Sequence, residues 1–430
     1  MLEKLFKLKE NGTDAKTEII AGLTTFMAMA YIIVVNPGIL SESGMPFGSV
    51  LVATCLGAAI GCFLMAALAN YPFALAPSMG LNAYFTYSVC LTMGVSWKIA
   101  LTAVFVEGII FILLTLSNIR QMVVNSLPNT LKIGISAGIG LFIAFIGCRG
   151  AGIVVDNPAT LVGLGVFKGN IPLMLALAGL ILMVVLQHKG VKGSILIGIV
   201  AVTLLGIPFG VTKLPKEIVA MPPSLSPTFW QMDFSMLKKM EFWVIVFAFF
   251  FVDFFDTVGT LVGCASRVDM LDEKGHLPKA GPALMADAVG TVCGAVLGTS
   301  TVTTFVESAA GVEQGGRTGL TAVTVGILFL LATFLNPIVS MVPGCATAPA
   351  LIMVGIFMVM GLERMDFSDW TDFVPAILAM VMMPFAYSIS TGIEFGICSF
   401  VFLKLFTGKA KEISWIMYVL TALFIINHML

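Results

Sequence analysis

The chain has 430 residues, of which 58% are hydrophobic and only 11% are charged, and its mean hydropathy is +1.03. A soluble protein carries about 25% charged residues, so this chain cannot cover a water-facing surface and is predicted to be a polytopic membrane protein. Its 23 basic and 24 acidic residues leave a formal charge of -1. That balance excludes a nucleic-acid binder that works through a basic surface.

Apolar runs long enough to cross a bilayer recur along the whole sequence. A span needs about 20 mostly apolar residues, and this criterion gives about fourteen segments. They are 18–40, 48–69, 73–92, 97–117, 131–147, 171–187, 193–210, 242–264, 281–298, 302–315, 319–341, 346–361, 373–388 and 391–406. A further apolar run, 413–428, is either an extra span or a helix at the membrane interface.

The basic residues of the short loops predict the orientation of the chain. Lysine and arginine concentrate in alternate loops, which places the N-terminus in the cytoplasm and the protein in the cell membrane. The loops predicted to face inside carry Lys4, Lys7, Lys9, Lys16, Arg120, Lys132, Lys189, Lys192, Arg267, Lys274, Lys279, Arg317, Arg364, Lys404, Lys409 and Lys411. Lys98 and the loops 148–170 and 211–241 are exceptions to this alternation.

A proline-rich stretch, 211–241, is the best candidate for a linker between two halves. Features on its two sides repeat in order, since Pro128 opens the fifth segment and Pro343 opens the twelfth. An odd number of spans per half would invert the second half, as in many secondary transporters. The predicted fold is therefore all-α, with two inverted seven-segment repeats.

The third and tenth segments differ from the others. The third contains Pro72 and Pro77, and the tenth contains the run TSTVTTF over 299–305, which favours extended chain. Each is predicted to be a short strand followed by a half-helix. Irregular backbone at membrane depth is tolerated where it lines a cavity, so interrupted segments at matching positions indicate a transport site.

Six acids lie at least three residues inside the predicted spans, and no lysine or arginine lies equally deep. They are Glu107, Asp253, Asp256, Asp287, Glu307 and Glu394. Charges in spans are costly, so each needs a reason. Buried carboxylates take up protons readily, and they also accept hydrogen bonds from the N–H groups of a neutral polar solute.

The spacing of these acids indicates which could form a site. Asp253 and Asp256 are one helical turn apart, so at least one should bind a proton near neutral pH. Glu307 falls where the half-helix of the tenth segment begins, and free backbone N–H groups are expected there. Asn82 occupies a similar place in the third segment, and Gly80 beside it would allow close backbone approach.

Other readings of three acids remain open at this point. Glu107 and Glu394 are single acids on apolar helices, where each could be a structural hydrogen bonder, a helix-end residue or a site residue. Asp287 could tie the ninth segment to the eighth instead of serving function.

Four motifs together resemble the nucleobase–cation symporters of the xanthine/uracil permease superfamily, and most closely the adenine/guanine/hypoxanthine permeases. They are TTFMAMAYIIVVNP over 24–37, APSMGLNAY over 76–84, FFDTVGT over 254–260 and ESAAGVEQGGRTG over 307–319. Uracil-type members carry Glu and then His in the eighth segment, where this chain has Asp256 and Thr260. That difference favours the purine branch.

The resemblance implies a division of the fold into a core domain and a gate domain. The core would comprise 18–118 and 242–341, the gate 128–210 and 343–406, with the linker 211–241 between the halves and 413–428 as a C-terminal apolar segment. The substrate would sit between short strands in segments 3 and 10. The resemblance also implies dimerisation through gate helices.

The resemblance further implies roles for individual residues. Glu307 and the acids Asp253 and Asp256 would contact base and proton, and Asp287 matches an acid that the purine branch carries in segment nine. Asn82 and Gly80 match the site motif of the third segment. Phe305 and Val306 precede the glutamate, where the family uses backbone groups against the base.

The predicted function is proton-coupled import of purine bases, without a cofactor or a metal. Another nucleobase, such as xanthine, uracil or urate, is an alternative substrate on the same fold, and a channel or a membrane-embedded enzyme is an alternative class. The sequence contains no G-x-x-x-x-G-K-[ST] or H-E-x-x-H motif, which argues against an enzyme. Carboxylates serve both H⁺ and Na⁺, so the residues leave the coupling ion open.

Overall fold

The computed structural model describes residues 2–116, 128–265, 270 and 277–429. Three of the basic residues predicted to face inside, Arg120, Arg267 and Lys274, lie outside this part of the chain.

The first half of the chain is built from helices joined by short connections. They are α1 (Leu2–Phe6), α2 (Ala15–Met29), α3 (Ile32–Ser41), α4 (Phe47–Leu68), α5 (Met79–Ala83), a π-helix (Tyr84–Thr92), α6 (Trp97–Leu116), α7 (Asn129–Gly150), α8 (Ile171–His188) and α9 (Ser194–Leu205). The strand β1 (Leu75–Pro77) precedes α5, and the strands β2 (Val154–Asn157) and β3 (Leu161–Leu164) follow α7. The β2–β3 hairpin was not predicted from the sequence.

The second half is also built from helices joined by short connections. Its helices are α10 (Met240–Ala265), α11 (Ala280–Leu297), α12 (Ser308–Glu313), α13 (Gly319–Ala332), α14 (Asn336–Ser340), α15 (Gly344–Val359), α16 (Trp370–Phe385), α17 (Ile389–Phe406) and α18 (Trp415–Met429). The strand β4 (Val302–Thr304) precedes α12. Side chains cap several helix starts, because each accepts a hydrogen bond from an orphan N–H group. The capping residues are Asp14, Asn170, Thr318, Asp369 and Ser388.

Nine helical stretches within the described residues are long and apolar enough to cross a membrane. They run from Ala15–Ser41 at the start of the chain to Ile389–Phe406 near its end. The protein is therefore a multi-pass membrane protein with a helical fold. The C-terminal α18 is a shorter apolar helix that packs against α17.

The helices pack in two groups that alternate along the chain. In the first packing group α4 lies against α11 and α13, α6 lies against α10 and α11, and α2 lies against α12 and α13. In the second packing group α7 lies against α15 and α16, α16 lies against α17, and α8 lies against α9 and α15. Contacts between the groups are fewer, and they include α9 with α2 and α5 with α7.

The two groups meet near a pair of short strands held inside the first packing group. β1 and β4 pair antiparallel, with Leu75 opposite Thr304 and Pro77 opposite Val302. Small residues make room for them, because a Cβ on Gly294 would come within 2.9 Å of the Val302 side chain. A Cβ on Gly61 of α4 would meet Leu75 at the same distance. Gly61 and Gly294 belong to the G-x-x-x-G pairs Gly57/Gly61 of α4 and Gly290/Gly294 of α11, and these pairs make room for the strand pair between the two helices.

The first predicted segment is broken near its middle. α2 ends at Met29 and α3 begins at Ile32, so Ala30 and Tyr31 lie between two helices and not within one. Pro37 lies inside α3, where it removes a backbone donor. This break places the side chain of Tyr31 next to the strand pair.

Candidate functional site

The backbone of the third and tenth segments is joined by hydrogen bonds beyond the strand register. The N–H of Phe305 donates to the carbonyl of Ala74 at 2.9 Å, and the N–H of Ser78 donates to that of Thr301 at 2.9 Å. The hydroxyl of Ser308 accepts from the N–H of Ala74 at 2.9 Å. These bonds fix the start of α5 and the start of α12 on the two sides of one strand pair.

Glu307 lies at the junction between β4 and α12, immediately before the first residue of that helix. Its side chain is half-buried, and its Oε1 accepts a hydrogen bond of 2.6 Å from the hydroxyl of Tyr31. Tyr31 is 1% exposed. The position of this carboxylate is therefore fixed from two sides: by the backbone junction in the tenth segment and by Tyr31 at the break in the first.

A cavity of about 210 Å³ lies against Glu307, between the two packing groups. From the first packing group it is lined by Ala28, Val306, Glu307, Ala309, Ala310 and Glu313. From the second it is lined by Gln187, Ser194, Ile195 and Phe357, together with the connection 190–193. A polar solute in this cavity would contact a carboxylate on one wall and residues of the other group on the opposite wall.

The two aspartates of α10 face different neighbours. The hydroxyl of Ser78, next to β1, donates to Oδ2 of Asp256 at 3.0 Å. Asp253 is fully buried on the other side, where Thr257 lies within 3.5 Å of its Oδ1. The helical spacing that brings the pair one turn apart thus directs one carboxyl toward the strands and the other toward α11.

Asp287 of α11 connects this second carboxyl to the strand β4. Its Oδ2 accepts a 3.1 Å hydrogen bond from the hydroxyl of Thr257, and its Oδ1 accepts a 2.9 Å bond from the backbone N–H of Thr304. Asp287 therefore ties the ninth segment to the eighth, and it also holds the backbone of the tenth.

Asn82 and Gly80 occupy the short helix α5. The side-chain oxygen of Asn82 accepts a hydrogen bond from the hydroxyl of Ser300, and its Nδ2 has no partner among the described residues. A Cβ on Gly80 would come within 2.9 Å of Ile139 on α7. Gly80 therefore allows α5 to approach the second packing group closely.

The predicted site residues thus lie in three places around one strand pair. Val306 and Glu307 line the cavity, whereas Asp256 and Asn82 contact Ser78 and Ser300 beside the strands. Phe305 is buried and is held by its backbone, and Asp253 and Asp287 form a buried cluster behind β4.

One expectation about Glu307 is corrected. The N–H groups of Ser308 and Ala309 were expected to be free at the start of the half-helix, but they donate to the carbonyls of Phe305 and Val306. The chain makes a tight turn into α12, and this turn uses the donors that a straight helix entry would leave unpaired.

The two ends of the molecule carry different contacts between the packing groups. At the end that holds the N-terminus, where Thr13 bonds to Gly315, Lys192 forms a 3.0 Å ion pair with Glu313 at the edge of the cavity. At the opposite end the ring of Tyr87 contacts the ring of Tyr387 at 6.1 Å.

The aromatic contact at that opposite end belongs to a larger polar network. Tyr87 donates to Glu42 at 2.9 Å, and Arg149 donates to the hydroxyl of Tyr387 at 2.8 Å. The cavity thus lies at the end of the molecule that holds the N-terminus, and a ring contact with two polar anchors connects the packing groups at the other end.

Sequence reasoning missed four residues of this arrangement: Tyr31, Ser78, Thr257 and Ser300. Ser78 and Ser300 lie in the two interrupted segments, so those segments gave a signal that polar residues near the strands would be used. Tyr31 and Thr257 gave none, because a single polar residue in an apolar run is usually a packing residue.

A multi-pass helical bundle with a half-buried carboxylate in a cavity between two packing groups has the architecture of a membrane transporter. Residues 16–395 match the xanthine/uracil permease family, described as a permease family. The chain belongs to this family. It is therefore a transporter and not an enzyme.

Two relatives extend the match along nearly the full chain. The adenine permease AdeP of Escherichia coli (strain K12) is 42% identical, over 99% of this chain and 96% of that protein. The guanine/hypoxanthine permease PbuG of Bacillus subtilis (strain 168) is 44% identical, over 99% of each chain.

A solved structure shares the fold at low sequence identity. It is the transmembrane domain of a cyanobacterial bicarbonate transporter, BicA, with a TM-score of 0.65 and 14% identity, over 88% of this chain and 97% of that one. The likeness shows a transporter fold.

Proposed function

We propose that this protein is a proton-coupled symporter that imports purine bases, such as hypoxanthine, guanine or adenine, by alternating access. The observation that carries the proposal is the placement of Glu307, which lines the cavity between the packing groups and is held there by Tyr31. The names of AdeP and PbuG support a purine as the substrate class.

The chemistry of the site suits a neutral planar base with N–H groups on its edge. A carboxylate offers two oxygen acceptors, and it can take hydrogen bonds from two neighbouring N–H groups of one base. Asn82 adds an amide that both donates and accepts, and its Nδ2 is unpaired in the described residues. Xanthine, uracil or urate would be the alternative substrates of the same site.

The mechanism we propose moves one packing group against the other. The first packing group would be the core (18–118 and 242–341), and the second the gate (128–210 and 343–406), joined by the linker 211–241. Base would bind at Glu307, with Asp256, Asn82, Gly80, Phe305 and Val306 around it, and protons would bind at Asp253, Asp256, Asp287 and Glu307. A core made neutral by protons crosses the apolar barrier at lower free energy than a charged core.

The proposed topology has fourteen spans in two inverted seven-segment repeats. The protein would lie in the plasma membrane, with its N-terminus in the cytoplasm. The paired strands β1 and β4, one from each half, support the repeat. The lysine-rich connection that carries Lys192 lies at the same end as the N-terminus, which agrees with the positive-inside rule. Na⁺ in place of H⁺ is the alternative coupling ion, and a homodimer through the gate helices stays a prediction.

The test is uptake of radiolabelled hypoxanthine, guanine, adenine and uracil into proteoliposomes, with an inward proton gradient, an inward Na⁺ gradient or no gradient. Wild type is compared with Glu307→Gln and with Glu363→Gln, an exposed glutamate that does not line the cavity. We expect purine uptake that depends on the proton gradient, is lost in Glu307→Gln and persists in Glu363→Gln.

Each alternative has its own result in this experiment. Uptake driven only by the Na⁺ gradient would show that Na⁺, and not H⁺, is the coupling ion. Uptake of uracil alone would show that the substrate is a pyrimidine and not a purine. Flux that ignores both gradients would indicate a channel. Full purine uptake by Glu307→Gln would remove Glu307 from the site.

A further inference from the structure

Glu107 is a carboxyl buried in the middle of α6 that the proposed site leaves without a role. It is 0% exposed, and neither of its two side-chain oxygens has a hydrogen-bond donor within the described part of the chain. An ionised carboxylate without donors in an apolar interior is strongly disfavoured. The environment of this side chain therefore calls for a ligand that supplies a donor.

The nearest polar group to Glu107 is another carboxyl. Glu107 lies against Asp253, whose Oδ2 is also buried without a donor. Aromatic packing holds the two helices that carry these carboxyls together, because Phe111 of α6 contacts Phe250 and Phe254 of α10 at ring distances of 5.9 and 5.7 Å. Two carboxylates cannot donate to each other, so this contact is favourable only when a proton lies between them.

A chain of hydrogen-bonding groups leads from this pair to the strand beside the cavity. Thr257 lies between Asp253 and Asp287, and Asp287 accepts from the backbone N–H of Thr304 in β4. Glu307 follows Thr304 by three residues. A proton gained or lost at Glu107 would therefore change the charge of a network that holds the substrate strand in place.

Three elements with titratable groups pack against α6. α10 contributes Asp253, with Asp256 one turn further, and α11 contributes Asp287. The π-helix carries the phenols of Tyr84 and Tyr87 and the thiol of Cys90, and it has no charged residue. None of the ion pairs formed by the described residues includes one of these acids.

A metal ion is a poor candidate for the missing ligand. Among the described residues, no group of three or more His, Cys, Asp or Glu side chains could hold one. A proton needs only the two oxygens that the structure already brings together.

We propose that Glu107 is a further proton-binding residue of the transport cycle, which shares its proton with Asp253 and signals through Thr257 and Asp287 to the strand beside Glu307. This inference rests on the proposed function, because it assigns a residue to the proton coupling of that cycle. Glu107 is a coupling residue and does not contact the base. Its loss should separate proton-driven accumulation from binding of the substrate.

The experiment measures two fluxes in the same proteoliposomes: uptake of radiolabelled hypoxanthine, and proton entry with a trapped pH-sensitive dye, from pH 5 to pH 8. Glu107→Gln keeps the shape of the side chain and supplies a donor to Asp253. We expect proton-driven accumulation to fall by about tenfold or more, the size of a typical coupling free energy, and its pH profile to flatten. Hypoxanthine exchange without a gradient should fall much less. Glu241→Gln, an exposed acid at the start of α10, is the matched control.

A second pair of variants tests the same idea if Glu107→Gln does not fold. Thr257→Val removes the hydroxyl between Asp253 and Asp287, whereas Thr257→Ser keeps it. Thr257→Val should therefore lose proton coupling as Glu107→Gln does, and Thr257→Ser should retain it. Accumulation with an unchanged pH profile in Glu107→Gln or in Thr257→Val would overturn the inference, and the carboxyl pair would then be structural. Failure of the proposed function is distinguishable, because wild type itself would then show no proton-driven purine uptake.

Discussion

The hydroxyl of Tyr31 donates a 2.6 Å hydrogen bond to the carboxylate of Glu307, across 276 positions of sequence. The bond joins the break between α2 and α3 to the junction between β4 and α12. Because Tyr31 is almost fully buried and Glu307 lines the cavity, a fixed phenol positions a carboxylate that is partly open to a solute.

Tyr31→Phe removes this hydroxyl and keeps the packing of the ring. A hydrogen bond to a charged group contributes about 1.5–3 kcal/mol, so we expect the KM for the transported purine to rise about tenfold or more while kcat changes little. Without the phenol, the base must order Glu307 as it binds. The measurement is initial uptake at varied substrate concentration. Tyr418→Phe, on the exposed face of α18, is the control, and an unchanged KM in Tyr31→Phe would show that the bond does not serve the site.

The ion pair between Lys192 and Glu313 connects the two packing groups at the edge of the cavity, and its side chains are about 40% exposed (42% and 39%). Exposed pairs contribute about 0.2–1 kcal/mol, so Lys192→Glu should change the uptake rate by about two- to fivefold. Restoring the pair in reversed order, with Lys192→Glu and Glu313→Lys together, should recover most of the rate.

The control for that swap is the pair of Lys7 and Glu10, which lies at 3.2 Å near the N-terminus and is more exposed. Its reversal should leave uptake unchanged. If the double variant of Lys192 and Glu313 transports no better than Lys192→Glu alone, the two residues do not act as a pair.

The positions of several long helices could be predicted from the sequence to within a few residues. The predicted segments 48–69 and 171–187 correspond to Phe47–Leu68 and Ile171–His188. Apolar length fixes such boundaries, because a helix in lipid must satisfy its backbone internally over the whole bilayer. The break at Ala30 and Tyr31 could not be predicted, since the run is apolar on both sides.

The sequence indicated candidate residues for the site, but it did not indicate their contacts. The cost of a charge at membrane depth identified Asp253, Asp256 and Glu307, all by the same argument. Spacing on a helix shows that two aspartates are one turn apart, and it does not show which neighbour each one faces. That depends on the packing of α10 against α6, α11 and β1, which sequence periodicity does not contain.

Tyr387 lies at the end of the molecule opposite to the cavity, where its ring contacts Tyr87 and Phe142. We infer that these contacts provide the closure of this end. Its backbone lies in the left-handed region, at φ 52°, which is uncommon for a bulky residue. We expect Tyr387→Ala to loosen this closure and to expose the buried Ser88, which accepts a hydrogen bond from the N–H of Ile389 across the two packing groups.

The closure can be measured with a cysteine at that position. Ser88→Cys should react with a membrane-impermeant thiol reagent about fivefold faster when Tyr387→Ala is added, the size of a coupling of about 1 kcal/mol. The variants are made with Cys90→Ser, because Cys90 lies two residues from the label site. Fragment-ion mass spectrometry then assigns the label to residue 88 and separates it from Cys55 and Cys62 of the same peptide. Tyr418→Ala should not change the rate, and equal labelling with and without Tyr387→Ala would show that the ring does not hold this end shut.

Asp369 stabilises the start of α16 outside the membrane-spanning helices. Its Oδ2 lies 2.5 Å from Nζ of Lys409, and its Oδ1 accepts from the N–H of Thr371 at 2.9 Å. The ammonium of Lys409 and then these bonds to Thr371 hold the pKa of this carboxyl well below its ordinary value of 3.8. A carboxyl whose pKa is lower in the folded state stabilises the fold fully above its unfolded pKa, and this contribution is lost as the pH falls through the folded pKa.

Asp369→Asn should therefore lower the Tm of the purified protein at pH 7 by a few degrees, because the amide keeps part of the helix cap and loses the ion pair. The deficit should be constant from pH 7 to pH 5 and should shrink only below about pH 4, where the unfolded carboxyl of wild type begins to bind a proton. Thermal unfolding in detergent at pH 7, 5 and 3.5 measures it, with the exposed Asp156→Asn of the β2–β3 hairpin as control. Equal Tm values for Asp369→Asn and wild type at pH 7 would show that the ion pair contributes nothing to the fold.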